Sequence, residues 1–570
     1  MPNKEIPTFE EWPFRVPNLE KAAASAKAAT AALEAAQTPE EALKVFKKHE
    51  KESDLLGNAC THAFVLFTLD STNKKYAKAV AKIDEGMPLV QVEENHFAEA
   101  MLHSPHRGYL EKKLGTHLFT MYEYSLKGFD DRVVAEAVEE NKLSTEYGAK
   151  LAAIRVTYKG QEYNLPQMGK FLQDLDRDVR KEASQAYYAA LSTHVEELED
   201  IYDRLVHVRD AIAKKLGYKN FVELGYIRMQ RYDYNVEDVR AYREAIHDVV
   251  TPIAAKIMKA QFKRTGIRKP EIYDNSLVFK TGNPLPKGTT ADKIELAKKM
   301  YDALSPETSY FFRFMADHHV LDLEARPGKQ GGGYMTYFPK YGIPFIFSNF
   351  NGTKGDIDVL THEFGHSFQA YMARKIKVPE LRQPTSEGCE IDSMSMEFFA
   401  HPWMDLFFDE PEKYRYAHLA DAISFLPYGV TVDHFQEWVY ENPNATKAER
   451  DAKWHELEEY YTPYKVATYR GCTYMQEGHR WLTQAHIFEN PFYYIDYTLA
   501  QVMAFQFFNL DRKNHELAWK RYLKLCEMGG KYPFRTLVLR DHMKDPFASG
   551  VVKKTVRPLL QVLESYDIGE

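Results

Sequence analysis

Long amphipathic stretches, nearly free of internal glycine and proline, recur along this chain and commit it to helices packed on helices. Residues 19–51, LEKAAASAKAATAALEAAQTPEEALKVFKKHEK, place apolar side chains three and four apart and break only at Thr38-Pro39. Thr38 can cap, and Pro39 can open, the second helix of a hairpin. The pattern continues through KYAKAVAKIDEGMPLVQVEENHFAEAML and DDRVVAEAVEENKLSTEYGAKLAAI. Strand character is confined to two places. IRVTYKGQEYNL, residues 154–165, alternates about Lys159-Gly160 as a hairpin does, and the window 266–356, rich in Gly and Pro, predicts loops and short strands. The expected class is mostly α, with a small β-sheet just before residue 361.

A chain of 570 residues exceeds the usual size of one core. We expect lobes with a cleft between them: an amino-terminal helical lobe over 1–190 and a second unit over 191–570. Aromatic residues make up 14% of the chain, enough to line a channel as well as a core. The net charge of −8 is spread without a run of Lys and Arg, so neither a nucleic acid nor an anionic membrane surface is an expected partner. Cys60, Cys389, Cys472 and Cys526 lie far apart with no CxxC pair, as suits a reducing compartment. The amino terminus carries acids and early prolines instead of an apolar signal segment, and no stretch reaches the roughly 18 apolar residues that span a bilayer. A cytoplasmic location is the expectation.

Chemistry concentrates in THEFGHSF, residues 361–368. Positions four apart lie about 40° from each other around a helix, so His362 and His366 share a face and reach one ion. Glu363, offset toward the open side, completes the HExxH pattern: two imidazole ligands for zinc and a carboxylate that takes a proton from the attacking water. A catalytic zinc needs a third protein ligand. SEGCEIDSMSMEFFAHPW, on an expected second helix, offers Glu387, Glu390, Asp392, Glu397 and His401. Glu387 and Glu390 are three apart, and spacing alone leaves both open. Asp358, one turn before His362, is placed to accept from that imidazole's other nitrogen and orient it.

Residues 331–373, GGGYMTYFPKYGIPFIFSNFNGTKGDIDVLTHEFGHSFQAYMA, resemble the oligoendopeptidase F and thimet oligopeptidase family of zinc metallopeptidases. A Gly-rich turn with a tyrosine, a strand, a Gly-Thr step and the metal helix follow in the family's order. The specific resemblance covers about residues 170–510. It implies two helical lobes enclosing a deep substrate channel, with the catalytic domain over 191–570. It implies one Zn2+ per chain held by His362, His366 and Glu390, because Glu390 stands at the family's spacing for the third ligand and Glu387 does not. HIFENPFYYIDYTLA, residues 486–500, is similar to the family's carboxyl-terminal segment, which implies that His486, Tyr494 and Tyr497 face the metal across the cleft. A tyrosine hydroxyl suits that place, as a neutral donor to the oxyanion of amide hydrolysis. Gln369 departs from the family: much of it has a further histidine there, which points to a Pz-peptidase-like subgroup.

FIFSNFN, residues 345–351, is expected to border the cleft with a free edge whose N–H and C=O groups pair with an extended peptide, while Gly331 to Gly333 let a loop close over it. The expected substrate contacts are Gly332, Gly333, Tyr334, Ser348 and Asn349. The functional expectation is a zinc endopeptidase acting on short peptides. Two alternatives use the same residues: an exopeptidase of the dipeptidyl carboxypeptidase type, and a non-catalytic peptide-binding scaffold that keeps its zinc helix.

Overall fold

A computed structural model of the chain describes residues 6–465 and 472–569. Helix accounts for 70% and strand for 4%, so the chain is mostly α. The helical hairpin forms as Leu19–Glu34 and Pro39–Leu69, with Thr38 Oγ1 accepting from the Glu41 N–H at 3.2 Å and Pro39 in the first turn. With Lys74–His103 these helices enclose a cluster built on Leu33, Phe46, Phe97 and Met101, which also takes in Ala373, Ile376 and Leu381. The amino-terminal helices are thereby seated on the segment that leaves the HExxH helix. A larger core runs from Phe9 to Leu563. The division expected at 190/191 falls inside the helix Arg177–Ser192, and that larger core takes side chains from both sides of it, Tyr147 before and Leu205 after. Among the described residues no helix is long and apolar enough to cross a membrane.

The short hairpin matches its pattern. Val156–Tyr158 (β1) pairs antiparallel with Gln161–Tyr163 (β2), and Lys159 and Gly160 take φ of 49° and 77°, as a two-residue type I′ turn requires. The window 266–356 holds more helix than its composition suggests. Thr290–Leu304 and Pro306–Asp317 are helices, each opened by a reciprocal cap, Thr289 with Asp292 and Ser305 with Thr308. The strands that follow, Leu321–Glu324 (β3), Tyr334–Phe338 (β4) and Ile343–Phe350 (β5), form one sheet in the order β3-β5-β4. This corrects the expectation for FIFSNFN. β5 is the central strand, parallel to β3 and antiparallel to β4, so both its edges are paired and it is almost wholly buried. The edge strands are β3 and β4, and β4 is the one that borders the cleft described below.

β5 leads directly into Gly355–Ala373, the histidine helix, and Asp356 pins the junction. Its carboxylate accepts from the N–H of Asn351 at 2.8 Å and of Gly352 at 3.1 Å, and pairs with the buried Lys293 ammonium at 3.0 Å. The histidine helix packs on Ser386–Phe399, the glutamate helix, and Gly365 sets how close they run. A Cβ at position 365 would stand 2.6 Å from Ser393 Cα and 2.7 Å from the Asp392 carbonyl oxygen, where only hydrogen fits. Gly365→Ala is expected to wedge the two helices apart and to destabilise the fold by about 1–3 kcal/mol. Denaturant unfolding measures this; a midpoint equal to that of the parent protein would refute the close-approach argument.

Candidate metal centre and active site

His362 and His366 project from one face of the histidine helix with ring centroids 5.0 Å apart. Glu390 arrives from the glutamate helix between them: its Oε2 lies 3.2 Å from His362 Nε2 and 3.3 Å from His366 Nε2. The ligand atoms of these three residues lie within 4.8 Å of one another. Glu387 turns elsewhere, fully buried and bonded to the Tyr234 hydroxyl. Two imidazoles, one carboxylate and an open side make the donor set of a catalytic zinc. Burial opposes charge on Glu390, yet the two imidazoles beside it outweigh burial and hold it well below the usual carboxylate range. The next side chain, Glu363, is buried, and its Oε2 has no hydrogen-bond partner among the described residues. Burial raises its carboxyl above the ordinary glutamate value, against the pull of His362 and His366. An unpartnered carboxylate oxygen next to that donor set fits a proton acceptor for a water. A second trio, Glu199, Asp451 and His479, also brings ligand atoms within 4.8 Å, but Asp451 already accepts from Trp481 Nε1 at 2.9 Å and none of the three lines the cleft.

Glu397, and not Asp358, holds His362. The His362 Nδ1 bonds Glu397 Oε1 at 2.6 Å, Glu397 Oε2 bonds His418 Nε2 at 2.7 Å, and His418 Nδ1 meets His401 Nε2 at 2.9 Å. Burial pushes Glu397 up, but the bonds from His362 and His418 prevail and hold it at about 2. It is therefore an ionised acceptor that keeps the hydrogen of His362 on Nδ1 and turns Nε2 toward the metal position. Asp358 lies one turn from His362 as its spacing requires, but Lys354 at 2.7 Å and the Tyr414 hydroxyl at 2.7 Å claim its oxygens.

His362, Glu363, His366 and Glu390 floor a cleft of ≈ 490 Å³, walled by Asp54 and Thr61 of the amino-terminal hairpin on one side and by the β4 edge on another. Gly333 and Tyr334 border it, as expected. Tyr334 bonds Thr68 Oγ1 through its hydroxyl at 2.5 Å, tying β4 to the hairpin. Gly332, Ser348 and Asn349 do not line the cleft. Ser348 is buried in β5, its carbonyl accepting from Lys329, and Asn349 Nδ2 donates to the carbonyls of Gln330 and Gly332, both at 2.8 Å, bracing the glycine turn from behind.

Across the cleft, His486 Nε2 lies 3.0 Å from the Tyr497 hydroxyl. Burial lowers His486 to about 4 and raises Tyr497 well above the usual phenol value, so both are uncharged at neutral pH. The second tyrosine of this wall is Tyr493. Its hydroxyl donates to Glu390 Oε1 at 2.6 Å, and it lines the cleft with Tyr497. Tyr494 instead packs against Phe425 and Tyr428 behind the wall. The helix begins at Tyr494, so residues 493 and 497 face inward together and 494 is turned about 100° away. Spacings of three and four both keep two tyrosines on one face, and the sequence does not mark which pair looks into the cleft.

The Peptidase M3 N-terminal domain matches residues 9–129, and Peptidase family M3 matches residues 311–555. A solved structure of Pz peptidase A with inhibitor 2 is 45% identical and superposes with a TM-score of 0.96, over 98% of this chain and 99% of its own. Oligopeptidase PepF of Bacillus subtilis (strain 168) is 24% identical over 212 residues, 36% of this chain and 30% of that protein. The chromosomal oligoendopeptidase F of Lactococcus lactis subsp. cremoris is 23% identical over 218 residues, 36% of this chain and 33% of that protein. The match to these two relatives thus spans about a third of their length. Matched by the family over both its amino-terminal and its HExxH-bearing regions, and alike along its whole length to a solved Pz peptidase, the chain belongs to peptidase family M3.

Proposed function

We propose that this chain is a zinc-dependent oligopeptidase that cuts internal bonds of short peptides in the cytoplasm, with one Zn2+ held by His362, His366 and Glu390. The observation that carries the reading is the meeting of Glu390 Oε2 with both imidazole Nε2 atoms beside the unpartnered Oε2 of Glu363. Zinc bound there supplies Lewis acidity toward the peptide carbonyl and makes a water more acidic. Glu363 accepts the proton of the attacking water and returns it to the nitrogen of the leaving amine. Tyr497 donates to the carbonyl oxygen as that atom gains charge, with His486 bonded behind it. Tyr493 donates to Oε1 of Glu390, and Oε2 is the oxygen that meets both histidines. The β4 edge offers its free N–H and C=O groups to an extended peptide running past Gly333 and Tyr334. The four cysteines, all free, suit a reducing cytoplasm.

Three outcomes are expected. An end-blocked, internally quenched peptide is cleaved, chelation abolishes the cleavage, and added zinc restores it. Cleavage that requires a free carboxyl terminus would replace the endopeptidase with an exopeptidase, and a zinc-loaded protein that cleaves nothing would leave a binding scaffold. Glu363→Gln keeps one zinc per chain by elemental analysis and loses about a hundredfold or more of kcat; near-normal turnover in the loaded variant would remove Glu363 from the proton path. Glu397→Gln weakens zinc retention by about 10–100-fold in a chelator competition, whereas Asp358→Asn does not. Equal retention in the two variants would contradict the orienting role of Glu397.

A further inference from the structure

We propose that Gln484 is a positioning residue: by fixing the tautomer of His486 it aims the hydroxyl hydrogen of Tyr497 into the cleft. The proposal deepens the peptidase reading and rests on it.

The Arg480 guanidinium lies 4.5 Å from the centre of the Tyr428 ring, and the Tyr428 hydroxyl donates to Gln484 Oε1 at 2.8 Å. This contact decides which end of the Gln484 amide faces which way. The NH2 end is left toward His486 Nδ1, at 3.0 Å. An amide NH2 can only donate, so Nδ1 is the acceptor and carries no hydrogen. His486 is buried and uncharged, and its single ring hydrogen therefore sits on Nε2.

Nε2 is the atom 3.0 Å from the Tyr497 oxygen. The imidazole donates to the phenol, and the phenol's hydrogen is free to turn toward the cleft, which Tyr497 lines together with Glu363 and Glu390. With the opposite tautomer, Nε2 would accept the Tyr497 hydrogen. The phenol would then present lone pairs to a carbonyl oxygen gaining negative charge, and the contact would change from attraction to repulsion.

Gln484→Glu tests the idea with almost no change of shape, because a carboxylate can only accept. It is expected to draw the ring hydrogen to Nδ1 and make Nε2 an acceptor. In full-length chain with ¹⁵N-labelled histidine, His486 assigned by difference from His486→Gln, the parent should show a protonated Nε2 and Gln484→Glu a protonated Nδ1. In zinc-loaded protein, kcat of Gln484→Glu should fall by about a hundredfold with KM nearly unchanged. Gln484→Met, which neither donates nor accepts in this way, should give mixed tautomers and an intermediate kcat, and it serves if the glutamate variant does not fold. A protonated Nδ1 in the parent overturns the proposal, and so does a swapped tautomer with unchanged kcat. The tautomer is read without substrate, so a parent that cleaves nothing would sink the peptidase reading while leaving the tautomer result separately visible.

Discussion

The close packing of the histidine helix on the glutamate helix is the contact on which the site depends. Two imidazoles on one helix follow from a four-residue spacing, but the third donor must cross from another element, and its reach is limited to one glutamate side chain. Gly365 removes the atom that would hold the helices apart, and the backbone at Ser393 moves into that space. Glu390, three residues before Ser393, then meets both His362 and His366, while Ser393 Oγ donates to the same carboxylate at 2.8 Å. Close backbone approach converts local helical geometry into a three-donor site.

Around that contact, charge is buried in matched sets. Asp356 with Lys293 anchors the start of the histidine helix, and Glu397 with His362 and His418 braces its middle. Each of these acids has a cation or several donors, as the cost of desolvation requires. Glu363 is different: one of its oxygens has no partner among the described residues, and it lines the cleft beside His362, His366 and Glu390. An acceptor left open on the wall of a cleft keeps its capacity for something that arrives from outside.

Much of this was legible in the sequence where the physics is local. The hairpin around Thr38-Pro39, the turn at Lys159-Gly160 and the shared face of His362 and His366 each depend on residues a few positions apart. The helices after Thr289 and Ser305 had equally local caps, which the Gly and Pro content of the surrounding window obscured. What escaped depends on partners brought from far along the chain. Tyr234 withdraws Glu387, and Lys354 with Tyr414 withdraws Asp358, leaving Glu397 to hold His362. Strand order is another such property, although the unbroken apolar run at the start of β5 carried the mark of a strand covered on both faces. Tyr493 was missed because the inward face depends on where a helix begins, the least certain feature of any sequence reading.

An unpaired strand edge on an open surface invites sheet-to-sheet association between proteins. β4 keeps its free edge inside a cleft, roofed by the amino-terminal hairpin through Asp54, Thr61 and the bond from Thr68 to Tyr334. For the peptidase proposed above, that enclosure means the edge would be offered to one extended segment passing the hairpin and not to the edge of another sheet.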